Sequence, residues 1–70
     1  MSQEIRDIIA KNIQKLRIAK GISREELSLA IEVDNSYISK LEKGKINITL
    51  DKIVKIAEYF EIKPYLLIKS

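Results

Sequence analysis

Residues 23–43 read SREELSLAIEVDNSYISKLEK, and the spacing of their apolar residues decides the fold. Ser23 and Glu26 form a capping box. The Ser23 hydroxyl accepts from the Glu26 amide while the Glu26 carboxylate reaches back to the Ser23 amide, so a helix starts here. Leu27, Ala30 and Ile31 supply its inner face, and it ends near Glu32. Val33-Asp34 makes a turn. Asp34 is a good N-cap for a third helix over about 35–43, which Gly44 ends. Counted from Arg24 as the first position of a twenty-residue unit, apolar residues occupy the fourth, eighth, tenth, fifteenth and eighteenth positions: Leu27, Ile31, Val33, Ile38 and Leu41. Those are the positions that hold two short helices across each other in a helix-turn-helix. The second helix of the pair has a thin apolar stripe, Ile38 and Leu41, and shows Asn35, Ser36, Tyr37, Ser39, Lys40 and Lys43 on its other side. Such a helix docks lightly on a core and leaves a polar face outside.

Upstream, Ile5, Ile9, Ile13 and Leu16 recur at steps of four, four and three, which predicts a helix over 4–20. Gly21 stops it, with Lys20 in the last turn where a cation suits the negative end of the helix dipole. Downstream, the GKINI of residues 44–48 is a loop. Thr49 caps a fourth helix over about 50–60 with Leu50, Ile53, Ala57 and Phe60 facing inward. Pro64 suits the first turn of a short fifth helix, Tyr65 to Ile68. The expectation is all-α: a compact five-helix bundle, one domain over 1–70, with the helix-turn-helix at about 23–43. Leu27, Ile31, Ile38 and Leu41 are expected to be buried with Ile13, Leu16 and Ile53.

Composition narrows the function. The chain has 70 residues with neither cysteine nor histidine, so a disulfide, a zinc site of Cys and His, or a Cys/His or Ser/His catalytic set cannot be built from it. Its carboxylates fall in helix caps or on polar faces, no Gly-rich phosphate loop is present, and a bundle this small has little room for a closed pocket. The expectation is therefore no catalytic residue, no metal, no cofactor and no small-molecule ligand. No apolar run is long enough for a signal peptide or a membrane span, so a soluble, cytoplasmic protein is expected. Lys and Arg number 13 against 10 Asp and Glu, a net charge of +3. The placement says more than the total: Lys40, Lys43 and Lys45 stand within six residues against Glu42 alone, a local excess suited to a polyanion.

The text IxKLRxxKGISREELS over 13–28, YISKLEKGK over 37–45 and LDKIVKIAEYFEI over 50–62 resembles the lambdoid phage repressor and Cro type of helix-turn-helix protein. The resemblance covers roughly residues 9–68. Within that group, DNSYISKLEKGKINITL over 34–50 is similar to the controller proteins of restriction-modification systems. The resemblance implies a recognition helix lying in the major groove of double-stranded DNA. It implies base contacts from Asn35, Ser36, Tyr37 and Lys40, and phosphate contacts from Arg24, Ser39, Lys43, Lys45 and Asn47. Residue chemistry agrees: Asn pairs with adenine N6 and N7, and Lys donates to guanine O6 and N7. The resemblance also pairs Arg17, at the end of the first helix, with Glu42, late in the third. Two residues depart from the family pattern. Glu32 replaces a glycine at a turn position that requires positive φ, at a cost of about 1 kcal/mol. Ser28 replaces the usual small alanine and is expected to weaken the packing slightly.

One recognition helix reads only a few base pairs, so a two-fold homodimer on a palindromic operator is expected. Phe60, Ile62 and Leu67 anchor the C-terminal end inward. That leaves Tyr65, Leu66 and Ile68 without a core position, and they are the expected dimer patch. The second reading is a protein-interaction module on the same fold, such as an antitoxin; a fragment of a larger regulator is a third.

Overall fold

A computed structural model describes residues 3–70. Helix α1 spans Gln3–Lys20, α2 Arg24–Ala30, α3 Tyr37–Glu42 and α4 Leu50–Phe60, and a 3-10 turn spans Pro64–Leu67. The fold is all-α with a helix-turn-helix at α2–α3, but the expected fifth helix is only that 3-10 turn. Pro64 opens it as expected, yet its first bond runs from the Leu66 amide to the Lys63 carbonyl, and the tighter spacing does not propagate.

Each α-helix closes in the same way. The residue after the last turn takes a left-handed conformation: Gly21 at φ 73°, Glu32 at 61°, Gly44 at 72° and Glu61 at 57°. The next amide then bonds back to the carbonyl five residues earlier, as Ile22 to Arg17, Val33 to Ser28, Lys45 to Lys40 and Ile62 to Ala57. These Schellman closures satisfy carbonyls that a helix end otherwise leaves bare. Two of the four fall on glutamate rather than glycine; the one at Glu32 was legible in the sequence and the one at Glu61 was not. At the N-termini, Ser23 and Glu26 make the full capping box, and the Thr49 hydroxyl accepts from the Lys52 amide.

The core joins all these elements: Ile9 and Ile13 of α1, Leu27 and Ile31 of α2, Ile38 and Leu41 of α3, Ile53, Ile56 and Ala57 of α4, Leu67, and Ile48 from the loop before α4. Leu16, Phe60 and Ile62 pack half-buried on it. Three inward assignments change. Leu50 is 75% exposed, because the burying stripe of α4 is Ile53, Ile56 and Ala57 and residue 50 starts the helix outside it. On α2 the outward residue is Ala30 and the inward one is Ser28. Ile5, a full turn before Ile9, lies largely beyond the core.

The C-terminal end is tied down by polar contacts. The Asn12 side-chain amide on α1 donates to the carbonyls of Leu67 at 2.8 Å and Lys69 at 2.9 Å, with Leu66 at 3.4 Å. The Lys20 ammonium stands 4.8 Å over the ring of Tyr59, which meets Phe60 edge-on, a cation–π contact that joins the end of α1 to α4.

Candidate nucleic-acid interface

The expected recognition helix is shorter than its sequence suggests. It begins at Tyr37, not near 35, and its N-cap is Ser36 rather than Asp34. Asp34, Asn35 and Ser36 form the turn into it: the Tyr37 amide donates to the Asp34 carbonyl at 2.9 Å, and the Ser36 hydroxyl donates to the Asp34 carboxylate at 3.0 Å. Asp34 thus serves the turn rather than the helix amides. Asn35 and Ser36 precede α3, and Tyr37, Ser39 and Lys40 lie on it.

Two polar devices hold α3 in place, and both involve α2. The first is Glu42. Its side chain is only 4% exposed, and its carboxylate accepts from Arg17 Nε at 2.7 Å and from Arg24 Nε at 2.9 Å. A second Arg17 nitrogen stands 3.4 Å from the other Glu42 oxygen, so the pair is two-pronged, and Arg17 Nη1 also donates to the Ile22 carbonyl at 2.9 Å. One buried carboxylate therefore ties α1, α2 and α3 together. Two cations face one anion, so the charge is compensated with positive excess left at the surface. The second device is Ser28, which is fully buried. Its hydroxyl donates to the Arg24 carbonyl at 2.9 Å and accepts from the Ile38 amide at 3.2 Å. The expected loss of packing at Ser28 is not what the structure shows: the hydroxyl is fully used between two helices.

Around this frame the polar side chains lie outside. Asn35, Lys40, Lys43, Lys45 and Asn47 are exposed, and Ser36, Tyr37 and Ser39 are half-buried. Tyr37 lays its ring against the core. Burial pushes its phenol pKa up, so the hydroxyl keeps its proton and remains a donor. Arg24 commits its Nε to Glu42, yet its side chain is 46% exposed. In chain order these residues extend from the start of α2 through the turn and α3 into the following loop. Tyr65, Leu66 and Ile68 are not part of it. They sit exposed around the 3-10 turn, whose Leu67 is buried. A cleft of about 320 Å³, lined by Ala30, Ile31, Glu32, Lys55, Glu58 and Tyr59, also lies apart from α3; across it Lys55 pairs with Glu32 at 3.3 Å.

Three of these roles were not read from the sequence, though two had a signal. Ser28 occupies a position that must be small and buried, and a buried hydroxyl needs partners. Asn12 continues the stripe Ile5, Ile9, Ile13 and Leu16 as a polar member of an apolar face. The Arg24–Glu42 bond had no sequence signal, since the pair lies 18 residues apart and depends on the crossing of α2 and α3.

A surface of this kind on two crossed helices defines a class, and the comparisons agree with it. Residues 13–67 match the helix-turn-helix family, and the chain belongs to that family. It is similar to a hypothetical transcription factor of Neisseria meningitidis, 35% identical over 66 residues, which cover 94% of this chain and 62% of that protein. The chain thus spans less than two thirds of that relative's length. It is 31% identical over 65 residues to the control protein C.BamHI of Bacillus amyloliquefaciens, covering 91% of this chain and 80% of that one. The crystal structure of the restriction-modification controller protein C.AhdI from Aeromonas hydrophila superposes with a TM-score of 0.82 at 34% identity, over 89% of this chain and 94% of that one.

Proposed function

We propose that this chain is a sequence-specific, double-stranded-DNA-binding transcriptional regulator that works in the cytoplasm as a homodimer on a palindromic operator, in the manner of a restriction-modification controller or phage-type repressor. What supports the reading is the set of polar and cationic side chains left exposed or half-buried at Arg24, the 34–36 turn, α3 and the following loop, on a frame that holds α3 by buried polar bonds. Asn35, Ser36, Tyr37 and Lys40 read base edges. Arg24 joins Ser39, Lys43, Lys45 and Asn47 on phosphates. Tyr65, Leu66 and Ile68 are the centre of the two-fold contact: they form an exposed apolar cluster at one end of the molecule, and such clusters mark association surfaces.

Selection of binding sites from random duplexes tests this reading. The expected product is a two-fold symmetric consensus whose half-sites lie about 34 Å apart, one DNA turn. Lys43→Ala or Lys45→Ala lowers the salt slope by about one without changing the consensus, whereas Asn35→Ala or Lys40→Ala changes it. Leu66→Glu gives a folded monomer by sedimentation that binds the symmetric site weakly. Selection that returns no consensus sinks the DNA reading, and a wild type that stays monomeric at micromolar concentration while binding tightly without cooperativity sinks the dimer.

A further inference from the structure

A helix of six residues has almost no internal hydrogen bonding, so its first amides need partners from elsewhere. In α3 the Tyr37 amide goes back to the Asp34 carbonyl and the Lys40 amide to the Ser36 carbonyl. The N-cap residue ordinarily serves the second or third helical amide with its side chain. Ser36 makes no such bond; its backbone is helical, at φ −91° and ψ −3°, and its hydroxyl is turned to Asp34. The second amide, that of Ile38, instead donates to the hydroxyl of Ser28, ten residues earlier and on the other helix.

We propose that Ser28 is the N-terminal cap of the recognition helix, supplied from α2, and that it is a positioning residue which fixes how α3 is presented to DNA. The presentation half of this proposal rests on the DNA-binding reading above; the cap itself does not. The hydroxyl suits the task because both of its sides are engaged. It donates to the Arg24 carbonyl one turn back on its own helix, which fixes its rotation and directs a lone pair at Ile38. A buried hydroxyl with one donor and one acceptor partner is directional in a way that packing is not. Arg24 itself is clamped by Glu42, a residue of α3. The carbonyl of Arg24 therefore orients the cap while its side chain grips the far end of the helix that the cap starts. Ile38 and Leu41 seat α3 in the core, with Tyr37 half-buried beside them, and so short an apolar stripe fixes depth better than rotation. A bond at its second residue and another at its last, both to α2, fix the rotation.

The test compares Ser28→Ala and Ser28→Cys with the wild type, reading amide hydrogen exchange at Ile38 by NMR and preference among selected duplexes that differ at single base pairs. Alanine matches serine in size but leaves the buried Ile38 amide without an acceptor. Cysteine is larger but keeps a weak acceptor. The cap predicts Ile38 protection in the order Ser, Cys, Ala, with the Ala variant exchanging about tenfold faster or more. It also predicts that base preference falls in the same order. A purely structural, size-driven role gives the opposite order, with Ala like the wild type and Cys worse, and overturns the proposal. Unchanged base preference in an Ala variant that has lost Ile38 protection also overturns it. Should the Ala variant not fold, the wild type decides: an Ile38 amide exchanging at the rate of an unbonded amide overturns the cap. If no selected duplex is bound even by the wild type, the DNA reading fails while the exchange order still judges the cap.

Discussion

At the α2–α3 corner the large inward side chains are consumed within the chain: Leu27, Ile31, Ile38 and Leu41 are each 2% exposed or less, and the buried polar groups Ser28 and Glu42 have their partners on the neighbouring helix or on α1. At the C-terminal end only Leu67 is buried, while Tyr65 is 60% exposed and Leu66 and Ile68 stand partly open beside it. That end is held by a 3-10 turn and by the Asn12 amide reaching from α1. The corner buries these inward residues and turns mostly polar groups to solvent, with Leu29 of α2 as the large apolar exception. The C-terminal end turns apolar groups to solvent around the buried Leu67.

The difference is open to measurement. The largest effect belongs to the core of the corner. Leu41→Ala is expected to lower stability by about 2–5 kcal/mol, since Leu41 is buried in the core and its removal leaves a cavity there. In a chain this short that is much of the total. Thermal unfolding that leaves the midpoint unchanged would deny the corner its role as the rigid region. Next comes the buried ion pair. Arg17→Ala and Glu42→Ala should each destabilise, and a double-mutant cycle should return a coupling of about 1–3 kcal/mol. Strict additivity would mean that the corner is held by apolar contact alone. A smaller effect tests the other end: Asn12→Ala releases the carbonyls around Leu67 and should cost about 1–2 kcal/mol. Its sharper signature is faster exchange of the Leu66 and Ile68 amides with those of α3 untouched, because the two regions share no polar partner. Fraying of both together would show them to be one cooperative unit. The smallest expected effect is a gain. Glu61→Gly removes a side chain from a left-handed position and should stabilise by about 0.5–1 kcal/mol in urea titration; a loss would show that the Glu61 side chain does something there beyond ending α4.

Much of the fold was legible because its signals are local. Gly21, Gly44, Ser23 with Glu26, and Thr49 act within a few residues of themselves, and all end or start helices as their chemistry requires. The apolar template from Leu27 to Leu41 was equally readable, since helical periodicity converts spacing into a face. The misreadings lie where a contact distant in sequence overrides a local preference. Asp34 looks like a cap, but the turn takes both its carbonyl and its carboxylate, and α3 starts later. Leu50 looks like the first inward residue of α4 but is exposed, while Ile48, in the loop before the helix, is buried in the core. Of the candidate site, the identity of the polar residues came from the sequence; that Asn35 and Ser36 lie in the turn before α3 and not on it did not.

The sequence by itself determined the helix starts at Ser23 and Thr49, the stops at Gly21 and Gly44, the apolar template from Leu27 to Leu41, and that α3 is too thinly apolar to be buried on more than one side. Only the tertiary structure decided that Glu42 accepts from Arg24 as well as Arg17, that Asn12 holds the C-terminal turn, and that Ser28 supplies the bond Ser36 leaves unmade. The physical reason is that helix caps and periodic faces depend on neighbours within a few residues. A buried hydroxyl or carboxylate instead takes whatever partner the crossing of two helices brings within about 3 Å, and that crossing exists only once the core has formed.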